Sequence, residues 1–278
     1  NSDGLHQYAL ILWPAGDKPA KGWPVLLFNH GYHPNPPDYG RIEGGHDSRP
    51  GDYYRGTAQA FVDKGYVIVT PDYRGHNDSE GAEFTTRILA DHWYTRDAIA
   101  AYFGLLSLEG VDLKRVYMLG HSMGGPITQR ALLALGDKIR AASVWSTGSG
   151  RPLAFVMSLE AFMMTLEMRD SDNSDNAGMA KASLDQLVEE LAELGPSTSL
   201  ENLPTQRYIA ELQVPLTIQH SKGDGTTNAN SSRELAARLY MARREYQLFL
   251  YDSDDHLFSG EDFEQAVERD LQWFAQHR

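Results

Sequence analysis

The fold is decided by a stretch in which an apolar run, a glycine-rich turn and the start of a helix follow one another: Val116-Tyr-Met-Leu-Gly-His-Ser-Met-Gly-Gly-Pro-Ile127. Val116–Leu119 is short and apolar throughout, which is typical of a strand buried on both faces of a parallel sheet. Pro126 stands where the first turn of a helix is expected, and a missing backbone N–H costs little there. The stretch therefore predicts a strand, a sharp turn and a helix, with Ser122 exposed on the turn.

Outside this stretch, short apolar runs alternate with segments of helical periodicity through most of the chain. The further apolar runs are Val25–Phe28, Tyr66–Thr70, Ala142–Trp145, Leu216–Ile218 and Tyr246–Leu250. Helical periodicity marks Ala58–Lys64, Arg87–Leu106, Ile127–Leu135, Ser231–Arg243 and Glu261–Gln276. This alternation predicts an α/β fold, in which a mostly parallel twisted sheet is flanked by helices.

Two regions interrupt the alternation. Residues 33–54 are crowded with Pro, Gly, Asp and Asn, which predicts a long loop. Residues 151–212 contain two helical segments, Leu153–Met168 and Lys181–Leu194, separated by a polar stretch. We expect residues 151–212 to form a helical cap inserted into an α/β core, and this core comprises residues 1–150 and 213–278.

The composition narrows the possible partners. The chain has 278 residues, with 25 Lys and Arg against 38 Asp and Glu, and its formal net charge is −13. Phosphate groups repel such an acidic surface, so we expect no nucleic-acid partner. No apolar run approaches the ~18–20 residues that a membrane span needs, so we expect a soluble protein without one. Since the chain begins at Asn1, we expect it to be either cytoplasmic or exported with its signal removed.

Metal and cofactor signals are weak in this sequence. Cysteine is absent, which excludes disulfides, cysteine-ligated zinc, iron–sulfur clusters and thiol nucleophiles. Asp170–Asn176 is rich in acidic residues but lacks the central Gly and the terminal Glu of a calcium-binding loop. Neither a zinc-ligand spacing nor a glycine-rich nucleotide loop is present. We therefore expect no metal and no cofactor.

The segment Gly120-His-Ser-Met-Gly124 has the G-x-S-x-G pattern, which is weak alone but strong between a buried strand and a helix. A serine hydroxyl is a poor nucleophile unless a general base, itself held by a carboxylate, takes its proton. Three histidines follow Ser122 in the chain. His220 ends an apolar run and His277 is the penultimate residue, whereas His256 lies in a polar loop before the last helix. We predict that His256 is the base.

The remaining parts of the predicted site are an acid and two oxyanion donors. Asp224 follows the apolar run Leu216–Ile218 in a turn and is the predicted acid, with Asp254 as the alternative. A tetrahedral intermediate needs two preorganised N–H groups. We expect one from the backbone of Met123, directly after the nucleophile, and one from Tyr32, in the turn after the first core strand.

With these residues placed, the chain resembles the α/β-hydrolase superfamily, and within it the stand-alone hydrolase domains related to prolyl oligopeptidase and dienelactone hydrolase. The motifs that carry the resemblance are Asn29-His-Gly-Tyr32, Pro71-Asp-Tyr-Arg-Gly-His76, Gly120-His-Ser-Met-Gly-Gly125, Val214-Pro215 with His220 and Asp224, and Asp255-His256. The resemblance implies the same roles: Ser122 as nucleophile, Asp224 as acid, His256 as base, and Tyr32 and Met123 as oxyanion donors. The chain departs from the family pattern at Ser221 and at Thr226-Thr227-Asn228, and residues 151–212 match no pattern of the family.

These features together predict a carboxylesterase-type serine hydrolase that acts on a small-molecule ester through an acyl-enzyme on Ser122. A serine peptidase or amidase of the prolyl-oligopeptidase type, without its propeller, is the first alternative. A non-hydrolytic binding protein or a lyase on the same fold is the alternative of a different class. Peptide binding would call for an acidic group that holds an amino terminus, for which Glu160 and Glu167 are the candidates in the cap.

Overall fold

A computed structural model describes residues 2–33, 52–150, 175–195 and 203–278, and for residues 52–53 and 175–184 it describes the backbone alone. Its centre is a seven-stranded sheet in the order β1-β3-β2-β4-β5-β6-β7. The strands are β1 Ala9–Leu12, β2 Trp23–Asn29, β3 Val67–Pro71, β4 Val111–His121, β5 Ala142–Trp145, β6 Leu216–Ser221 and β7 Tyr246–Tyr251. β1 pairs antiparallel with β3, and all other pairs are parallel. The prediction of a mostly parallel α/β sheet is confirmed.

Six helices accompany the sheet in the described part of the chain. They are α1 Asp52–Val62, α2 Ala90–Gly104, α3 Gly124–Leu135, α4 Asp175–Leu194, α5 Asn230–Met241 and α6 Gly260–Gln276. Alternate residues of β2 point to opposite faces of the sheet, since Val25 and Leu27 belong to one core cluster and Leu26 and Phe28 to the other. α2, α3 and α5 cover the first face, and α1 and α6 cover the second.

Two elements differ from the sequence-based expectation. β1 was not predicted, because a four-residue edge strand with alternating exposed and half-buried residues has too little apolar signal. α1 begins at Asp52, six residues before the predicted start of its periodic segment at Ala58. The extra turn of α1 carries Tyr54, whose side chain is buried among core residues.

The part of residues 151–212 that the structure describes includes α4 and the segment that leads into β6. Leu187 of α4 packs with Leu203 against Leu89, directly before α2. The first helical segment of the predicted cap, Leu153–Met168, lies outside the described residues, as does most of the predicted loop 33–54. The assignment of residues 151–212 as a cap therefore stays a prediction.

Candidate active site

The predicted nucleophile, Ser122, directly follows β4 in the turn Gly120–Gly124, which we call the elbow. Its backbone is left-handed, with φ 56°, a conformation that costs a non-glycine residue on the order of 1–3 kcal/mol. The Ser122 N–H donates to the carbonyl of Trp145 at 3.0 Å, which ties the turn to the end of β5. A Cβ atom at Gly124 would overlap the backbone of Asn29, so glycine is required where the elbow packs against β2. The elbow therefore has the strained geometry that its sequence predicts.

The structure brings the predicted acid and base together. Nδ1 of His256, in the loop after β7, lies 2.7 Å from Oδ2 of Asp224, in the turn after β6. Because a carboxylate only accepts, Nδ1 carries the proton, and Nε2 of the neutral ring is then free to accept one. The His256 side chain is 16% exposed, whereas the Asp224 side chain is fully buried. The alternative acid, Asp254, is exposed, and the carboxylate that holds His256 is that of Asp224.

The turn after β6 stabilises the charge on Asp224. The backbone N–H groups of Thr226 and Thr227 donate to Oδ1 at 2.7 and 3.0 Å, and the Thr227 hydroxyl lies 2.9 Å from Oδ2. Burial by itself raises the pKa of the Asp224 carboxyl. The hydrogen bonds from His256, Thr226 and Thr227 outweigh burial, and its pKa lies below the ordinary value. Thr226 and Thr227, where the sequence departs from the family pattern, thus supply donors to the acid.

His256 lies against the elbow. Its ring centroid is 4.5 Å from that of His121, the residue before Ser122. Nε2 of His121 donates to the backbone carbonyl of His256 at 2.8 Å. These contacts, together with the Asp224 hydrogen bond, hold the His256 loop against the elbow.

The segment after β2 reaches the same point. A Cβ atom at Gly31 would lie 3.1 Å from Cβ of Ser122, so the backbone that leads to Tyr32 passes directly beside the serine. Nδ1 of His30 donates to the Gly31 carbonyl at 2.8 Å. Carbonyl and N–H point in opposite directions in a trans peptide, so this bond also orients the N–H of Tyr32. The Tyr32 side chain is 72% exposed, and Met123, the other predicted donor, immediately precedes α3.

A buried aromatic cluster lies under this segment. The rings of His30 and Tyr73 stack at 4.3 Å, those of Tyr73 and Tyr94 stack at 4.9 Å, and His76 meets all three edge-on. Burial lowers the pKa of His76 to about 4 and places that of His30 well below its ordinary value. Both imidazoles are therefore neutral near pH 7 and act as packing groups of this cluster.

The other two downstream histidines have structural surroundings. His220 is fully buried, with Nδ1 2.7 Å from the Ser232 hydroxyl, and Nε2 donates to the Thr227 carbonyl at 3.0 Å. His277 lies 3.0 Å from Glu245, next to the amino end of β7 and therefore at the edge of the sheet opposite Ser122. Neither arrangement leaves an imidazole for Ser122, whereas the His256 ring packs on His121, the residue before Ser122.

Sequence reasoning missed two side chains at the site, Tyr54 and the imidazole of His121. Tyr54 comes from α1, and only the folded chain brings it to within 2.8 Å of His121. The pattern around Ser122 includes His121 but assigns the residue before the nucleophile no role. In the described part of the chain, no group of three or more His, Asp or Glu side chains is arranged to hold a metal ion. None of the helices described is long and apolar enough to cross a membrane.

Comparison with known proteins gives a curated relative and several solved structures of similar fold. A curated relative, a poly(3-hydroxyoctanoate) depolymerase from Pseudomonas fluorescens, is 30% identical over 151 residues, 48% of each chain. An acylaminoacyl peptidase from Pyrococcus horikoshii superposes with a TM-score of 0.67 at 18% identity, over 100% of this chain and 40% of the peptidase. A structure of Est1E from Butyrivibrio proteoclasticus with ferulic acid bound superposes with a TM-score of 0.65 at 14% identity, over 100% and 97% of the two chains.

These likenesses differ in what they show. The chain spans about half the length of the curated relative and less than half of the peptidase, and the two structural likenesses, at under 20% identity, show the fold alone. The sequence model of the alpha/beta hydrolase fold matches residues 24–263, which include the elbow, Asp224 and His256. The chain therefore belongs to the alpha/beta hydrolase fold family.

Proposed function

We propose that this protein is a serine hydrolase that cleaves carboxylic esters of small molecules, with Ser122 as nucleophile, His256 as general base and Asp224 as the acid that orients it. One observation carries the proposal: the buried Asp224 carboxylate holds His256 at 2.7 Å, in a loop fastened beside the left-handed Ser122. A neutral imidazole in this orientation offers Nε2 to the serine hydroxyl.

The proposed reaction uses only these groups. Nε2 of His256 takes the Ser122 hydroxyl proton while Oγ bonds to the ester carbonyl carbon, and the carbonyl electron pair moves onto oxygen. The N–H groups of Met123 and Tyr32 are the proposed donors to this oxyanion. As the intermediate collapses, the alcohol leaves with the proton from His256 and the acyl group remains on Ser122. Water, deprotonated by His256, then releases the acid by the same two steps.

The curated relative supports an ester rather than an amide as the substrate. By its name, the Pseudomonas fluorescens protein depolymerises poly(3-hydroxyoctanoate), whose units are joined by ester bonds, and it shares 30% identity with this chain over the aligned part. An alkoxide leaves more readily than an amide nitrogen, so the proposed site is chemically sufficient for ester cleavage.

Peptide cleavage is the second candidate, and the likeness to the acylaminoacyl peptidase favours it. That likeness is one of fold at 18% identity, and the peptidase is longer than this chain. Glu160 and Glu167, which would hold a peptide amino terminus, lie outside the described residues.

The test compares p-nitrophenyl acetate, butyrate and octanoate with an aminoacyl p-nitroanilide. We expect ester turnover in the wild type, a loss of at least about 10³-fold in kcat for Ser122→Ala, and negligible anilide cleavage. Ser107→Ala, which removes an exposed hydroxyl three residues after α2, is the matched control and should keep full activity.

The other outcomes decide between the alternatives. Anilide cleavage at comparable efficiency would assign the peptidase instead. Ester turnover that persists in Ser122→Ala would overturn the nucleophile. No turnover, together with no labelling of Ser122 by a fluorophosphonate, would favour a non-hydrolytic binding protein or a lyase.

We also propose that residues 151–212 form a cap over this site, with the core made of residues 1–150 and 213–278. The packing of α4 on the residues before α2 supports this division, because α2 begins at the carboxyl edge of the sheet and α4 therefore lies at that edge. In open α/β sheets, ligands bind outside this edge. The cap would therefore shape the pocket for the acyl and alcohol groups.

A further inference from the structure

A chain of three hydrogen bonds, two of them buried and the third partly buried, runs beneath the elbow. The Gly31 N–H donates to the Tyr54 hydroxyl oxygen at 2.8 Å. The Tyr54 hydroxyl lies 2.8 Å from Nδ1 of His121. Nε2 of His121 lies 2.8 Å from the backbone carbonyl of His256. Gly31, Tyr54, His121 and the His256 carbonyl form what we call the relay.

The chemistry of the groups sets the direction of every bond in the relay. A backbone N–H only donates, so the Tyr54 oxygen accepts from Gly31 and its own proton is available to His121. A backbone carbonyl only accepts, so Nε2 of His121 carries the ring proton and Nδ1 is the acceptor for Tyr54. One neutral tautomer of His121 thus satisfies both bonds that the ring makes, and the Gly31 bond leaves the Tyr54 proton for the first of them. Burial favours this neutral form, since it lowers the pKa of His121 to about 3.

The relay connects three segments that come from distant parts of the sequence. Gly31 precedes Tyr32, the proposed oxyanion donor. His121 precedes Ser122, the proposed nucleophile. The third bond ends on the backbone of His256, the proposed base. Tyr54, from α1, is the side chain that bridges the first two segments.

The fit around Tyr54 leaves little freedom. A Cβ atom at position 31 would lie 2.5 Å from the Tyr54 hydroxyl, so the backbone of Gly31 approaches as closely as glycine permits. The Tyr54 ring packs edge-on against Phe28 at 5.1 Å, which restrains the ring that carries the hydroxyl. A side chain locked by packing on one side and by hydrogen bonds on the other can hold neighbouring groups to within a few tenths of an ångström.

We infer that Tyr54 and His121 are positioning residues, which set the oxyanion segment and the His256 loop in register with Ser122. The inference rests on the proposed function, because it assigns the relay to the reaction of the Ser122 site. Neither side chain takes part in proton transfer. Their effect is on kcat, since a misplacement of about 1 Å at the reacting groups can cost on the order of 10²-fold in rate.

A purely structural role would look different. A buried tyrosine or histidine that serves only stability would lower the midpoint of thermal unfolding when changed, with kcat of the folded fraction unaffected. A positioning role lowers kcat in protein that is fully folded and leaves KM nearly unchanged, because ground-state binding does not depend on the relay.

The experiment uses three variants with p-nitrophenyl butyrate. Tyr54→Phe removes the hydroxyl that both accepts from Gly31 and donates to His121, and we expect kcat to fall about 10- to 100-fold with KM within about 3-fold. His121→Gln keeps a donor for the His256 carbonyl and loses the acceptor for Tyr54, so we expect a smaller loss than for Tyr54→Phe. Tyr102→Phe is the control. Tyr102 is a buried tyrosine near the carboxyl end of α2, outside the relay, and this variant should keep wild-type kcat.

A measurement that is independent of activity keeps the two proposals separate. Nitrogen-15 spectra of the histidine rings report which nitrogen is protonated, and we expect His121 to be the neutral Nε2–H form between pH 8 and pH 5. In Tyr54→Phe, we expect His121 to be a mixture of its Nδ1–H and Nε2–H tautomers. If wild type fails to hydrolyse esters, the proposed function fails and the spectra still decide the tautomer.

Two results would overturn the inference while leaving the proposed function intact. One is a folded Tyr54→Phe protein with wild-type kcat and a Ser122-dependent esterase activity. The other is an Nδ1–H tautomer for His121. Should Tyr54→Phe fail to fold, His121→Gln carries the same kinetic test.

Discussion

Four of the site's hydrogen bonds converge on the carboxylate of Asp224. Its carboxylate is fully buried, yet it accepts from His256 and from the backbone of Thr226 and Thr227. A buried carboxylate with this many donors is stable only as the anion. The turn after β6 is therefore built to keep a negative charge behind the His256 ring, which fixes the tautomer and the orientation that the proposed reaction needs.

Asp224→Asn tests this role against the alternative acid. The amide keeps the shape of the side chain but can donate to Nδ1, which would favour the wrong tautomer of His256. We expect kcat for ester hydrolysis to fall by about 10³- to 10⁴-fold, as in Ser-His-Asp triads. Asp254→Asn, at an exposed position in the same region, should retain activity within about 2-fold. The opposite ranking of the two variants would make Asp254 the acid.

At the scale of elements, α4 is fastened to the core by a buried carboxylate. Glu190 is only 3% exposed and accepts hydrogen bonds from the backbone N–H groups of Ile88 and Leu89 at 3.0 and 2.7 Å. These N–H groups directly precede α2, where helical backbone donors have no partner within the helix. The negative charge also lies at the positive end of the α2 dipole. Glu190 thus joins the proposed cap to the core through α2.

Glu190→Gln should weaken this junction. The amide keeps one acceptor oxygen but turns its NH2 group toward the second backbone donor, and the charge at the helix end is lost. We expect the free energy of unfolding to fall by about 1–3 kcal/mol in urea titrations. Glu189→Gln, one residue away and exposed, should stay within about 0.5 kcal/mol of wild type. Equal effects of the two variants would contradict a specific role for Glu190.

At the scale of the whole molecule, several histidines are buried as neutral groups. Burial depresses the pKa of His30, His76, His121 and His220, to about 4 for His76 and about 3 for His121. Their ordinary pKa of about 6.5 returns when the chain unfolds. Between about pH 6.5 and the folded values, the unfolded state binds more protons, so stability falls as the pH falls. Burial raises the pKa of Asp270 to about 7, and this single group opposes the four histidines over part of the same range.

We therefore expect the unfolding midpoint to be highest near neutral pH and to drop steadily between pH 6.5 and pH 4. His76→Gln should reduce the slope of the free energy of unfolding against pH, by at most about 1.4 kcal/mol per pH unit. His6→Gln, at an exposed position, should leave the slope as it is. Thermal unfolding of the three proteins at pH 7.5, 6 and 4.5 provides the comparison. A midpoint that does not change over this range would show that the buried histidines do not govern acid stability.

The sequence by itself determined the features that depend on local pattern. Continuous apolar runs predicted the central parallel strands, because a strand covered on both faces has no polar positions. The elbow was predictable for a similar reason, since a strand, a G-x-S-x-G turn and a helix with an early proline are contiguous in the chain. Chain order alone then placed Asp224 and His256 after the last two strands, where parallel strands bring their following loops to one edge.

Only the tertiary structure decided the contacts between residues far apart in sequence. Tyr54 reaches His121 across 67 residues and Glu190 reaches Leu89 across 101, and no periodicity encodes either pairing. The hydrogen bond that joins His256 to Asp224 across 32 residues likewise depends on the geometry of the turn after β6. The physical reason is that a side-chain hydrogen bond depends on distances of a few tenths of an ångström, and these are set by packing of the whole sheet and its helices.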